Sequence, residues 1–208
     1  MPLADRTRAG SIDSDATANH AVEGGATPTS ALLAKQLIVE ECEFSVAVTY
    51  NRLWHSVLPE FRGVFRGLKA CFAGRYGGEI RAVAIWTSPI SRGVDDGTTS
   101  ELRRFAIGPG TPANTASRML TVMVKLMGKK YAQLVKVISY QATSVHSGTI
   151  YKAAGWSYGR LNKAKDCRWL LRKDGKRNPL QIESDKIRWE KVIRPPAPCR
   201  PPSPERLR

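Results

Sequence analysis

Two side chains able to carry a proton, His146 and Tyr151, stand five residues apart in SVHSGTIYKAAGW (144–156), with Gly148 and Thr149 between them. An imidazole titrates near pH 6.5 and a phenol near 10, so the pair could accept a proton, donate one, or ligate a metal. The run before them, LVKVISY (134–140), reads as a buried strand from its branched residues. The chain must turn after that strand and start a short helix over about 148–154, and ligands in open α/β sheets collect at the C-terminal ends of strands, where this turn falls. The plainer alternative is a helix start with a packed aromatic.

A second group lies in ELRRFAI (101–107). On a strand, Glu101 and Arg103 project to one face and Arg104 to the other. A carboxylate at a strand start suits a general base toward an amine; its alternative role is an ion pair with a neighbouring arginine. Arg103, Arg104 and, further on, Lys152 are candidates for phosphate contacts. His55 follows Trp54 at the end of a helical stretch and could move a proton, bind a metal when neutral, or simply pack.

Periodicity supplies the elements that must hold these groups. ALLAKQLIVEECEFSVAVTYNRLWHS (31–56) repeats apolar residues at threes and fours and predicts one or two helices, with Pro59 as the stop. FRGVFRGLKACFAGRYGGEIRAVAIWTSP (61–89) predicts a hairpin turning at Gly77-Gly78. SRGVDDGTTS (91–100) is a loop by composition, ELRRFAI a third strand, and ANTASRMLTVMVKLMGKKY (113–131) a helix with Asn114 or Thr115 as its cap. After the 134–140 strand and the short helix, WSYGR (156–160) and CRWLLR (167–172) predict two closing strands. QIESDKIRWEKVI (181–193) reads as a short amphipathic piece before a proline-rich end. The sum is one α/β (α+β) domain over 31–180, a mixed sheet with helices on both faces. A disordered leader (1–30) precedes it and a basic, proline-rich tail (181–208) follows.

Charge sets the expected partner. Lys and Arg number 33 against 18 acids, net +15, which favours a polyanion. Residues 152–208 hold 16 basic and 6 acidic groups, so the last quarter carries most of the field. No apolar run approaches the roughly 18 residues of a membrane span, and the leader lacks a secretory core, so a cytoplasmic protein with no membrane partner is expected. Cys42, Cys71, Cys167 and Cys199 are scattered, without zinc-finger spacing, and read as reduced structural thiols.

The element order matches the GNAT acyltransferase layout. WHSVLP (54–59), ELRRFAI (101–107), PANTASRML (112–120) and ISYQATSVHSGTIYKAAGW (138–156), in this order, resemble the Mom family of phage and mobile-element proteins, a GNAT-like group linked to adenine modification in DNA. The likeness runs over roughly 30–172. It implies a transferase that places a small group of acyl or carbamoylmethyl type on the exocyclic amine of adenine, shielding the DNA from restriction in a bacterial or phage-infected cell. It implies catalytic roles for His55, Glu101, His146 and Tyr151, the last protonating a departing thiolate. In a GNAT-type sheet the junction IGPGTPANTASR (107–118) would take the pyrophosphate of acetyl-CoA or a related acyl donor, through Gly108, Gly110, Asn114, Ser117 and Arg118. A base inside a duplex is unreachable, so the target must be flipped or single-stranded, with Trp54, Trp156 or Trp169 as stacking candidates. His and Tyr side chains could hold iron, though three histidines leave few ligands. The sequence departs from the family where Ala142 stands in place of a frequent aspartate and Val57 in place of an arginine. The usual GNAT loop of spaced glycines is also not present in clean form. Two alternatives remain: an acetyl-CoA-dependent N-acetyltransferase acting on a protein or small amine, and an inactive nucleic-acid-binding relative.

Overall fold

The computed structural model describes residues 33–58, 67–91, 93–164 and 184–195. The predicted leader, Pro59, Trp169, the CRWLLR strand and the proline-rich end beyond residue 195 lie outside the described residues. In chain order the elements are a 3₁₀ turn (Ala34–Gln36), β1 (Ile38–Glu41), α1 (Phe44–Trp54), β2 (Leu68–Tyr76), β3 (Glu79–Thr87), β4 (Thr99–Ile107), α2 (Thr115–Lys130), β5 (Lys136–Ala142), α3 (Thr149–Ala153), β6 (Ser157–Asn162) and β7 (Lys186–Val192). The seven strands form one sheet in the order β1-β2-β3-β4-β5-β7-β6, antiparallel throughout except for the parallel β4–β5 pair.

Local chemistry explains most of these elements. Gly77 and Gly78 both take positive φ, 56° and 86°, which a two-residue hairpin turn between right-twisted strands demands, and they close Tyr76 onto Glu79 as the sequence predicts. On α1, Phe44, Ala47, Val48, Tyr50 and Trp54 turn toward Cys71, Val83, Ile85 and Ala106 of the sheet. On α2, Met119, Leu120, Met123, Val124 and Met127 recur at threes and fours and pack on the opposite face, with Phe72, Ala84, Trp86 and Leu102. α3 joins that second layer through Tyr151, with Ala154 just past its end. Helices thus cover both faces. No helix among the described residues is long and apolar enough to cross a membrane.

Two elements differ from the expectation. Residues 38–41 are an edge strand paired with Phe72–Arg75, not part of a helix. Leu33 and Leu37 happen to sit at helical spacing, but four residues of IVEE paired with an open sheet edge satisfy more backbone groups than a lone turn would. The amphipathic piece at 181–193 is likewise β7, inserted between β5 and β6. Its period is two, with the buried Trp189 and half-buried Ile187 facing the core. The sheet therefore extends past residue 180.

Candidate active site

The parallel pairing of β4 with β5 stops at Leu102 opposite Ser139, yet β4 runs on to Ile107 and β5 to Ala142. Their outer edges stay paired, β4 with β3 and β5 with β7, so the fork opens only between them. Backbone groups on its inner edges have no strand partner among the described residues, and an extended, amide-bearing ligand can pair there as a strand would.

On the α3 face of the fork, Tyr151 Oη lies 2.9 Å from Ser139 Oγ. Ser139 donates to the Leu102 carbonyl at 3.4 Å, which leaves the phenol as donor to the serine. The Tyr151 ring stacks on Trp189 at 5.5 Å and meets Trp156 edge-on at 5.6 Å. Burial raises its pKa, so the phenol holds its proton at neutral pH. Gly148, at φ 75°, permits this packing, because a Cβ there would lie 2.4 Å from Gln141 Oε1 and 2.7 Å from Trp189 Cζ2. Gln141 Oε1 accepts from Trp189 Nε1–H at 2.7 Å, and Gln141 Nε2 donates to the His146 carbonyl. Helix α3 thus starts at Thr149, as the sequence predicts.

Alternation along β4 puts Glu101 on the opposite face from Leu102. Only 5% exposed, Glu101 accepts from the Ile90 N–H at 3.1 Å and from Arg103 Nη1 at 3.4 Å. The expectation that Arg104 points away from this pair fails. The β3–β4 register passes from Ile85 opposite Arg104 to Trp86 opposite Leu102, so Arg103 is the extra residue of a bulge that breaks the alternation. Arg104 sits close enough to Arg103 and Glu101 to feel both charges, and burial, with Arg103 adding to it, lowers its pKa to about 10. Tyr140, the first β5 residue beyond the last β4 pair, stands opposite Arg188 of β7. Burial raises its phenol first and the Glu101 charge adds to this, while Arg188 opposes both.

His55 caps the C-terminal end of α1, and its Nδ1 accepts from the N–H groups of Val57 and Leu58 at 3.3 and 3.2 Å. Burial, then Arg104 and His146, push its pKa down to about 4. It is therefore neutral at pH 7. Between about pH 6.5 and 4 the unfolded chain binds a proton that the folded one refuses, so the stability His55 contributes is present above 6.5 and is lost as pH falls toward 4. Urea unfolding at pH 7 and pH 5 should show this loss in the wild type and a smaller one in His55→Gln. Equal losses would contradict the buried, neutral imidazole.

His146 itself is exposed, in the turn that follows β5, and Lys152 is exposed on α3. The expected cofactor residues sit elsewhere. Asn114, Ser117 and Arg118 line an open groove of about 420 Å³ with Ala34, Thr121, Val122, Lys125 and Ala153. Its two cations, Arg118 and Lys125, and the start of α2 beside them suit a diphosphate. Asn114 occupies the cap position at φ 66° but makes no side-chain cap bond; its carbonyl takes the Ser117 hydroxyl and the Arg118 N–H instead. Arg118 Nη2 reaches the Lys35 carbonyl at 3.1 Å. Gly110 takes φ 66° in the open loop before α2, whereas Gly108 lies under Trp54, whose ring would be 2.9 Å from an added Cβ. Gly108 therefore makes room for packing, and Trp54 and Trp156 are likewise packed, against Tyr50 and Tyr151.

Structure thus gathers Glu101, Arg103 and Arg104 on one face of the fork, puts His55 within electrostatic reach of Arg104 and His146, and sets Tyr151 with Ser139 on the other face. Sequence reasoning missed Ser139, Tyr140, Gln141 and Trp189. A serine inside the branched run KVIS, out of place in a buried strand, was the available signal for the first. Among the described residues no group of three or more His, Cys, Asp or Glu side chains is placed to hold a metal ion, so the iron expectation finds no such ligand set there.

The sequence profile of the Mom protein family matches residues 34–193. No curated protein matches the chain by sequence. Solved structures do. The ribosomal-protein-S5-alanine acetyltransferase from Vibrio fischeri superposes with a TM-score of 0.54 at 12% identity, over 78% of this chain and 96% of that one. The ribosomal-protein-S18-alanine N-acetyltransferase from Escherichia coli gives 0.52 at 13% identity, over 77% and 96%. A putative acetyltransferase from Salmonella typhimurium with its cofactor acetyl-CoA gives 0.51 at 8% identity, over 76% and 94%. The fold is that of the GNAT acetyltransferases.

Proposed function

The chain belongs to the Mom protein family, and from that membership and the geometry of the fork we propose that it transfers a small group of acyl or carbamoylmethyl type to the exocyclic amine of adenine in DNA. An acyl-CoA is the donor of the acyl form, DNA the partner, the cytoplasm of a bacterial or phage-infected cell the location, and protection from restriction the outcome. One observation carries the reading: the β4–β5 fork has a buried carboxylate on one face and a buried, protonated phenol on the other.

A thioester lying in the fork can be approached from the Glu101 face while its sulfur departs toward the Tyr151 face. The adenine nitrogen attacks the thioester carbonyl carbon, the C–N bond forms, and Glu101 takes the proton that the amine releases. The C–S bond breaks, and Tyr151 gives its proton to the thiolate, to be resupplied from solvent. Arg103 and Arg104, with Arg118 and Lys125 of the groove, supply cations for phosphates of the DNA and of the donor. The adenine must leave the duplex to reach Glu101.

The test is mass spectrometry of nucleosides from the DNA of cells expressing the protein, because the cell supplies the donor. A new modified deoxyadenosine is expected, reduced about 10²-fold or more in Tyr151→Phe, the lower end of the range typical for loss of a proton donor. Unmodified DNA in cells holding soluble wild-type protein would reject the proposal in favour of a different amine acceptor or an inactive binder.

A further inference from the structure

We propose that the turn Thr143–Ser147 enters the DNA duplex beside the target adenine, and that Val145 fills the space this base vacates. This rests on the DNA reading above and adds a second part to it, a wedge beside the chemical site. All five residues of the turn are exposed, and Val145, its one aliphatic side chain, is 44% exposed. The turn is nonetheless held firmly. The Thr143 N–H and hydroxyl both donate to the Asp185 carbonyl at 3.0 Å, and the Ser144 N–H donates to Ser184 Oγ at 3.0 Å. Further along, the His146 N–H donates to the Ala142 carbonyl at 3.1 Å, Gln141 Nε2 donates to the His146 carbonyl, and the Ser147 and Thr149 hydroxyls meet at 2.8 Å. Braced at both ends, the turn holds one branched apolar side chain in a fixed place where a second surface can meet it. Valine's stiff χ1 means that little rotamer freedom is lost when that surface arrives.

Position and charge identify the surface. The turn leaves the end of β5 at the mouth of the fork, and His146 is near enough to His55 for its charge to be felt there. Lys152 and Arg160 are exposed on the neighbouring α3 and β6, and Lys186 pairs in register with Ala142 at the start of the turn. Nearby Asp185 is neutralised by Lys163 at 2.9 Å. Cations around an apolar tip match a nucleic-acid duplex, whose phosphates lie outside and whose stacked bases lie within. Proteins that unstack base steps insert apolar side chains, and enzymes that modify bases extrude them.

The test uses the purified full-length protein and duplexes carrying 2-aminopurine in place of adenine in each nearest-neighbour context, since this analogue brightens when unstacked. Wild-type protein should raise the fluorescence of at least one duplex severalfold. Val145→Ser should lose about ten times in that rise while binding the duplex within about threefold of wild type, because phosphate contacts carry most of the affinity. Val145→Leu should keep the rise. An undiminished rise in Val145→Ser overturns the wedge and leaves the DNA reading standing. Duplex binding without any rise in the wild type also overturns the wedge, and no binding to duplex or single-stranded DNA overturns both.

Discussion

Glu101→Gln is expected to lower the rate of the proposed adenine modification by about 10²–10⁴-fold, the range typical for removing a general base. Glutamine has nearly the same shape, and its carbonyl oxygen can still accept from the Ile90 N–H now held at 3.1 Å. What disappears is the negative charge beside Arg103 and Arg104 and the lone pairs that would receive the amine proton. Binding and turnover should separate as a result. DNA affinity holds or rises, because the site becomes more positive, while product falls. A carboxylate that served only as an ion-pair partner would behave differently: the melting temperature would drop and activity would follow in proportion to folded protein. Modified deoxyadenosine per folded molecule, read beside a melting curve and a DNA-binding isotherm, distinguishes the two, and a rate within tenfold of wild type would remove Glu101 as the base.

Gly148→Ala is expected to cost stability and activity together. At φ 75° an alanine pays the left-handed penalty of about 1 kcal/mol relative to glycine. Its Cβ would also lie 2.4 Å from Gln141 Oε1 and 2.7 Å from Trp189 Cζ2, and relieving such crowding typically costs about 1–3 kcal/mol. The total of about 3 kcal/mol corresponds to a melting temperature lower by roughly 10 °C in a chain of this size. Both displaced groups support the site, Trp189 by stacking on Tyr151 and Gln141 by holding the His146 carbonyl. Gly110→Ala is the matched control, with a similar φ of 66° but open space around the added carbon, and should lose only the backbone share. Equal melting of the two variants would show that the Gln141–Trp189 clamp does not constrain the turn.

Much of this was legible in the sequence where one local rule dominated. Gly77-Gly78 announced its hairpin, the methionine and leucine spacing announced α2, and the break from KVISY into HSGT announced the start of α3. Family likeness, carried by whole segments, reached the fold correctly. The misses share a cause, which is that long-range pairing overrode short-range pattern. IVEE became a strand because an edge of β2 was open to it. KIRWEKV became an interior strand because β5 and β6 left a slot between them. Arg104 joined Glu101 because a bulge opposite Ile85 and Trp86 undid the alternation that a lone strand would keep. Asn114 stands at the cap position, but its backbone is left-handed and its side chain makes no cap bond.

The placement of β7 between β5 and β6 governs the order in which the molecule can be made. During synthesis the strands from β1 to β5 can zip up as they emerge, each beside a neighbour already present. β6 has no such neighbour when it appears, since its only partner among the described strands is spelled by residues 186–192. The Tyr151 ring likewise waits for Trp189 to cover it. The β5 side of the fork, and with it the setting of Tyr151, therefore reaches its final form only after residues 186–192 have left the ribosome. A chain assembled in this way cannot complete its candidate site until the segment that carries β7 has been made.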